Sequence, residues 1–299
     1  MANVVEIKSA KIVPFTLMSS SISAILAFIG GILFAIIAGI AVALLPAPWG
    51  GLLAGLGVAA IIAYPILTFL VGLSTVFLSV LLYNLLVPRV GGVKLAMEEN
   101  RVVSIPIVPF ALILSIIGAI WAFIIGLVLS TGIAPLAGLI GTALPLIGNA
   151  TNTTITGSMF GAGTTFLYVF LIIGLPILAF IFGFIYNALF AIFYNFIAAR
   201  AAKIQLNFTA VTGAWNDLTS IPIVPAALAL AVVSAVFGIL SGLGNLATLA
   251  GQGQASAGFV SLLTSIIGNF IQTFIVVAIG AWLYNFLAPR IGAVKLELE

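Results

Sequence analysis

The phrase "YNLLVPRVGGVKL", residues 83–95, ends a long apolar run and recurs twice in the chain. "YNFIAARAAKIQL" occupies 194–206 and "YNFLAPRIGAVKL" occupies 284–296, each again at the end of an apolar run. Two of the runs also begin alike, with "SIPIVPFALILS" at 104–115 and "SIPIVPAALALA" at 220–231. A phrase repeated at the same place in successive segments predicts one structural unit used three times.

Composition indicates that this unit lies in a membrane. Of the 299 residues, 64% are hydrophobic and 5% are charged, and the mean hydropathy is +1.41. A soluble domain carries about a quarter charged residues. No Lys, Arg, Asp or Glu occurs in residues 12–88, 102–199 and 218–289. Because about 20 apolar residues cross a bilayer once, each stretch is long enough for more than one span.

Turn-forming residues divide each uncharged stretch into two spans. They lie in "LPAPWGG" at 45–51, "GNATNTTITGS" at 148–158 and "GQGQASAG" at 251–258. Residues 133–147 are too short to cross, so we expect an interfacial or re-entrant hairpin there. The resulting prediction is an α-helical integral membrane protein with six transmembrane helices, at 15–44, 60–87, 109–130, 161–198, 225–249 and 258–287.

Two spans in each repeat return the chain to the same side of the membrane. The repeats are 1–92, 93–203 and 204–299, and every Lys and Arg lies at their ends. The positive-inside rule assigns that side to the cytoplasm, so both termini of a multi-pass protein of the cell membrane are predicted to be cytoplasmic. Three fused units of this kind are expected to lie around a pseudo-threefold axis.

Short strands are predicted to follow the spans. "VKLAME" at 93–98, "IQLNFT" at 204–209 and "VKLELE" at 294–299 alternate between apolar and polar residues, which predicts strands with one buried face. "VVEIK" at 4–8 is predicted to lie beside 294–298 within one molecule, giving a cytoplasmic cap of six strands with no open edge. The alternative is that each terminus pairs with a neighbouring molecule.

The repeated phrase places tyrosine, asparagine and arginine between span and strand. Tyrosine rings are favoured at the membrane interface, and asparagine can bond between helices or cap a last turn. Arginine can reach lipid headgroups and the dipole of a helix C-terminus. The predicted interface anchors, with a specific lipid or ligand site as the alternative, are Tyr83, Asn84, Arg89, Tyr194, Asn195, Arg200, Tyr284, Asn285 and Arg290.

The unit resembles a family of two-helix bacterial membrane proteins, best known from actinobacteria, whose function is unknown. Members have a short strand, a Pro-containing entry to the first span, a second span ending in Tyr-Asn, then Gly-Gly and an alternating strand. The Tyr-Asn at 83–84 with "GGV" at 91–93 matches best, whereas 201–202 are Ala-Ala and 292–293 are Gly-Ala. The resemblance implies fold and topology for three fused copies, and it implies no activity.

The residue inventory excludes most site chemistry. The chain has no Cys and no His, which excludes disulfides and the usual ligands of zinc, haem and copper. All six acids lie in the predicted strands or their connections, so no carboxylate within a span can relay protons. Neither an enzyme activity nor a cofactor is predicted. The net charge of +3 indicates membrane topology or contact with lipid headgroups, and no nucleic-acid partner is expected.

A polar stripe on the last span consists of Ser261, Ser265, Asn269 and Gln272. It either lines a water-filled path or bonds helices together. A pore on a pseudo-threefold axis would need polar residues from every repeat, whereas the aligned positions within 171–182 are Leu, Leu, Ala and Phe. This difference favours helix-to-helix bonding.

The leading hypothesis is a non-enzymatic membrane protein that acts as a structural scaffold, an assembly unit or an accessory subunit. The alternative is a channel or carrier for small neutral or apolar solutes, suggested by the repeat symmetry and the polar stripe. Expected partners are membrane lipids, further copies of the chain or other membrane subunits. Asn149 and Asn152, in the predicted outer loop, stand in glycosylation sequons.

Overall fold

Six long apolar helices make up most of the described chain. The computed structural model describes residues 3–42, 49–151 and 165–299. Each of the six helices contains a segment long and apolar enough to cross a membrane, so the chain is a multi-pass membrane protein, as the sequence predicts. The helices are α1 (Ile12–Val42), α2 (Trp49–Val90), α3 (Ile107–Thr151), α4 (Thr165–Ala201), α5 (Ile223–Gly251) and α6 (Ala255–Ile291).

One predicted break in the helices is absent. The hairpin predicted at 133–147 is wrong because α3 is helical to Thr151. Most of the turn predicted at 45–51 lies outside the described residues, and α2 begins at Trp49. In a non-aqueous environment every unmade backbone hydrogen bond costs several kcal/mol, so an apolar helix continues across Gly and Pro that would end it in water. Asn149 consequently lies in the last turn of α3 and not in a loop, while Asn152 lies outside the described residues.

The chain divides into two compact units, of which the second comprises Phe110–Leu189. In it, α3 and α4 pack closely: a Cβ added at Gly126 would lie 2.0 Å from the carbonyl oxygen of Leu171. Leu171 belongs to a π-helical segment of α4, Phe170–Gly174, whose widened turn accompanies this close approach. A second π-helical segment of α4, Tyr194–Ala198, belongs to the other unit and contains the second of the three Tyr-Asn pairs.

The other unit comprises Met1–Pro109 and Phe190–Glu299 and contains a small antiparallel sheet. Its six strands are β1 (Asn3–Ala10), β2 (Val93–Glu98), β3 (Arg101–Ser104), β4 (Asn207–Thr212), β5 (Trp215–Ser220) and β6 (Val294–Leu298). Neighbouring strands are hydrogen-bonded in the order β3-β2-β1-β6-β5-β4. Residues 204–206, directly before β4, cover the free edge of β3, because the amide of Val102 donates to the carbonyl of Ile204 at 2.8 Å.

The pairing of β1 with β6 confirms that the two terminal strands lie together within one molecule. The amide of Glu6 donates to the carbonyl of Glu299 at 2.7 Å, and the amide of Glu299 donates back at 3.0 Å. Val294 and Leu296 are buried in a core that includes Tyr284. The alternating sequence of β6 therefore turns these apolar side chains toward the helices, as period-two patterning requires.

Candidate functional site

Each helix that ends in Tyr-Asn is tied to the sheet by its tyrosine hydroxyl. The hydroxyl donates to a strand carbonyl distant in sequence and accepts from the backbone amide ten residues further along the chain. Tyr83 donates to the carbonyl of Ile7 at 2.6 Å and accepts from the amide of Val93 at 2.9 Å. Tyr194 donates to the carbonyl of Val102 at 2.7 Å and accepts from the amide of Ile204 at 3.1 Å. Tyr284 donates to the carbonyl of Leu218 and accepts from the amide of Val294 at 3.2 Å.

Burial makes these hydroxyl bonds necessary. The exposed fraction of Tyr194 is 0% and that of Tyr284 is 5%, while Tyr83 is half-buried. A tyrosine hydroxyl removed from water needs a hydrogen-bond partner, and each of these three has both a donor and an acceptor. The sequence signal that could have identified this role is the constant spacing of ten residues between each tyrosine and the amide that it accepts from.

The asparagines hold the chain where it leaves a strand and enters the next helix. Each side-chain amide accepts from a backbone N–H and donates to the carbonyl of the same residue, an arrangement that imitates strand pairing. Each paired residue is the last residue of a strand or the first residue after it, just before the next helix begins. With the accepted bond given first and the donated bond second, Asn84 pairs with Ala10 (2.9 and 2.9 Å), Asn195 with Ile105 (2.7 and 2.8 Å) and Asn285 with Ile221 (2.8 and 2.8 Å).

Glycine permits the first of these junctions to close. Gly91 has a φ of +89°, which ends α2 in the left-handed region. A Cβ added at the next residue, Gly92, would lie 2.2 Å from the carbonyl oxygen of Ile7 and 3.0 Å from the Tyr83 hydroxyl. Glycine at 91–92 therefore allows β1 to approach the end of α2 closely enough for the tyrosine bond.

The arginines lie at the C-terminal ends of the same helices. Arg89 donates to the carbonyl of Leu85 at 2.9 Å. Arg290 donates to the carbonyl of Phe286, and its guanidinium carbon lies 3.7 Å from the centre of that ring. Arg200 is exposed in the last turn of α4. Positive charge at a helix C-terminus is favourable because it faces the partial negative charge of the last carbonyls.

An open cleft of about 770 Å³ lies between the end of α2 and the sheet. Its charged lining consists of Lys8, Arg89, Lys94, Glu6 and Glu297, so cations outnumber acids by one. The role of the nine junction residues as interface anchors, or as a lipid site, stays a prediction.

Glu6 connects the cleft to the junction. Its Oε1 accepts from the amide of Gly92 at 2.7 Å, while its Oε2 lies 3.4 Å from Lys8 Nζ and 3.5 Å from Lys94 Nζ. The Gly92 hydrogen bond is the main cause that lowers the pKa of Glu6, partial burial opposes it, and the two lysines add to the lowering. Lys8 also lies 3.0 Å from Glu299, which joins the C-terminus to this network.

Acidification is expected to destabilise the first junction through Glu6. A carboxylate whose pKa is lowered on folding stabilises the protein above its usual pKa of 4.5, and this contribution is lost as pH falls through the folded value. The free energy of unfolding in detergent should therefore fall below about pH 4.5. Glu6→Gln should weaken that dependence, whereas Glu297→Gln, which leaves the Gly92 bond intact, should retain it. Equal pH profiles for Glu6→Gln and the wild type would contradict this role.

The polar stripe of α6 faces α5 along part of its length. The side-chain amide of Asn245 donates to the hydroxyl of Ser261 at 3.2 Å. A Cβ added at Gly238 of α5 would lie 3.1 Å from Asn269 Nδ2, so the two helices touch at this point. Gln272, by contrast, is exposed.

Two further contacts extend this polar interface. A Cβ added at Gly238 would lie 2.6 Å from the carbonyl oxygen of Ser265, which places the backbones of α5 and α6 close together. The hydroxyl of Thr273 donates to that of Ser234 at 2.8 Å. Sequence reasoning missed this last bond because Thr273 lies one position beyond the stripe.

No family model, curated protein or solved structure matches this chain.

Proposed function

We propose that this protein is a non-enzymatic structural component of the cell membrane, acting as a scaffold, an assembly unit or an accessory subunit. The observation that carries the proposal is the junction itself, because each Tyr-Asn pair uses its polar side-chain atoms to hold a helix end to the sheet. Two bonds from each tyrosine and two from each asparagine hold the backbone. Such bonds make the helix ends rigid, as a scaffold requires. They also occupy the polar groups of the tyrosines and asparagines with partners in the same chain.

The repeat architecture belongs to the same proposal. The chain consists of three fused copies, 1–92, 93–203 and 204–299, related by a pseudo-threefold axis through the sheet. The support is that three junctions make the same set of hydrogen bonds at equivalent positions of three similar phrases. The copies are related to the two-helix bacterial membrane family that their sequence resembles.

The sheet is proposed to lie in the cytoplasm with both termini. Every Lys and Arg of the chain lies in the sheet, in its connections or in the last turn of a helix that leads to it. Positive charge is retained on the cytoplasmic side during insertion, so this distribution supports the assignment. Lipids, further copies of the chain or other membrane subunits are the proposed partners.

Labelling of single cysteines tests this topology in a chain that has no native cysteine. Cysteines that replace Lys8, Glu99, Asp217 and Glu299 should all react with an impermeant reagent only when it is admitted to the cytoplasmic side. A cysteine at Thr153, a position outside the described residues, should react only from the outer side of the membrane. A split result among the first four would overturn the two-span repeat.

Solute flux distinguishes the scaffold from the channel or carrier. Because Ser261 and Asn269 face α5, we expect the stripe to bond helices, and vesicles containing the protein should pass glycerol and urea no faster than protein-free vesicles. The double replacement Asn269→Leu with Gln272→Leu should leave that rate unchanged. Flux that depends on the protein and is lost in this variant would favour the channel.

A further inference from the structure

Gln272 places an amide on the exposed surface of α6, deep in the membrane-spanning part of the helix. It lies 12 residues before Tyr284, where α6 is held to the charged sheet, and this spacing is about 18 Å along the helix axis. Because a hydrocarbon core is about 30 Å thick, the amide lies close to its centre. Gln272 is exposed, and within the described part of the chain its side chain has no hydrogen-bond partner. In lipid alone its donor and acceptor groups would stay unpaired, which is unfavourable.

The other two helices that end in Tyr-Asn are apolar at the corresponding position. Val71 of α2 and Phe182 of α4 also lie 12 residues before their tyrosines, and their exposed fractions are 58% and 64%. Exposed apolar side chains are what a lipid-facing helix surface requires. Only α6 has a polar side chain at this place, so only α6 needs a polar partner there.

A glycine one turn away leaves room for a neighbouring helix beside this amide. Gly268 is exposed, and nothing lies within 4 Å of a Cβ added there. The corresponding residues of α2 and α4 are the exposed leucines Leu67 and Leu178. Because residues four apart lie on the same side of a helix, Gly268 and Gln272 form one surface, which we call the amide face. A small residue lets two transmembrane helices approach closely, and an amide can then bond across the contact.

The amide face is not used by the contact between α5 and α6. In that contact the hydroxyl of Ser261 accepts from Asn245, and the hydroxyl of Thr273 donates to Ser234. Those polar groups therefore have partners within the chain, whereas the amide of Gln272 is open to a partner outside it.

We propose that the amide face is the contact between two copies of this chain, in which the two Gln272 amides bond to each other. An amide group has both a donor and an acceptor, so two identical side chains can satisfy each other. All copies insert in the same orientation, and a two-fold axis perpendicular to the membrane therefore brings the two amides to the same depth. A different partner would have to supply its own polar group at that depth.

The expected assembly is a dimer and not a lattice. The combination of Gly268 and Gln272 occurs on one of the three helices that end in Tyr-Asn, because α2 and α4 carry large apolar residues at both positions. A face that pairs with itself about a two-fold axis closes after two copies. This deepens the structural role proposed above and rests on it, since it names the partner and the surface that the partner uses.

Energy transfer between labelled chains in lipid vesicles tests the dimer. Ala214→Cys, in the exposed turn between β4 and β5, gives one labelling site in a chain that has no native cysteine. Chains carrying donor or acceptor are mixed at decreasing ratios of protein to lipid. Transfer should vary linearly with the acceptor fraction, as it does for a dimer. Chains that stay monomeric at every ratio would overturn the proposal and leave a different membrane subunit as the occupant of the amide face, and a curved dependence would overturn it in favour of a larger assembly.

Substitutions locate the contact. Gln272→Leu should raise the dissociation constant by about tenfold, as loss of two interhelical hydrogen bonds predicts, and Gly268→Leu should also raise it by filling the notch. Val71→Leu, at the corresponding position of α2, is the matched control and should leave the constant unchanged. Gln272→Leu removes no bond within the described chain, so its unfolding in mixed micelles should match that of the wild type. A leucine variant at 272 that associates as tightly as the wild type would overturn the proposal.

The flux experiment separates this proposal from the structural role. Dimeric protein that speeds the passage of glycerol and urea would overturn the scaffold and leave the dimer standing. Monomeric protein that passes neither solute would overturn the dimer and leave the scaffold standing.

Discussion

Replacing Tyr194 by alanine is expected to lower the free energy of unfolding by about 3–5 kcal/mol, the range for removal of a large buried aromatic side chain. The residue is fully buried, and its hydroxyl connects the carbonyl of Val102 to the amide of Ile204. Alanine would leave a cavity and two backbone groups without their side-chain partner. Unfolding in mixed micelles of a mild detergent and SDS measures the change.

Phenylalanine at position 194 separates the hydroxyl from the ring. Because it keeps the packing and loses only the two hydrogen bonds, Tyr194→Phe is expected to cost about 1–3 kcal/mol. Tyr64 is an exposed tyrosine on α2, and Tyr64→Phe is the matched control, expected to change stability by less than about 0.5 kcal/mol. Equal stabilities for the two phenylalanine variants would show that the hydroxyl bonds do not support the junction.

Alanine at Gly126 is expected to separate α3 from α4 and to cost about 1–3 kcal/mol, as overpacking of a tight interface does. The added Cβ would lie 2.0 Å from the carbonyl oxygen of Leu171, and this backbone atom cannot move aside as a flexible side chain can. The free energy of unfolding measures the loss, and cross-linking of cysteines placed on the two helices measures their separation.

Gly118 offers a matched control eight residues earlier on the same helix. Nothing lies within 4 Å of a Cβ added there, so Gly118→Ala should keep the interface and raise stability by about 0.5–1 kcal/mol through helix propensity. If both alanine variants were equally stable, the close approach of α3 and α4 at Gly126 would not contribute to folding.

Much of the fold follows from local sequence. Uncharged stretches of great length predict the helices, because a backbone in lipid must satisfy its hydrogen bonds within each segment. Alternation predicts strands, and two unpaired terminal strands predict the pairing of β1 with β6. The hairpin predicted at 133–147 failed for the same physical reason, since Gly and Pro are weaker breaks in an apolar segment than in water.

By itself, therefore, the sequence determined the class of protein, the six apolar helices and most of the strands, since each depends on composition or on a period of a few residues. The strand predicted at 204–209 lies instead at Asn207–Thr212, and residues 204–206 bond to β3. The partners of Tyr194 and Asn285 were decided only by the tertiary structure, because they lie 92 and 64 residues away in the chain. The repeated phrase marked these residues without indicating their bonds. A hydrogen bond between distant segments depends on how the sheet brings them together, and no local sequence pattern indicates which segments will meet.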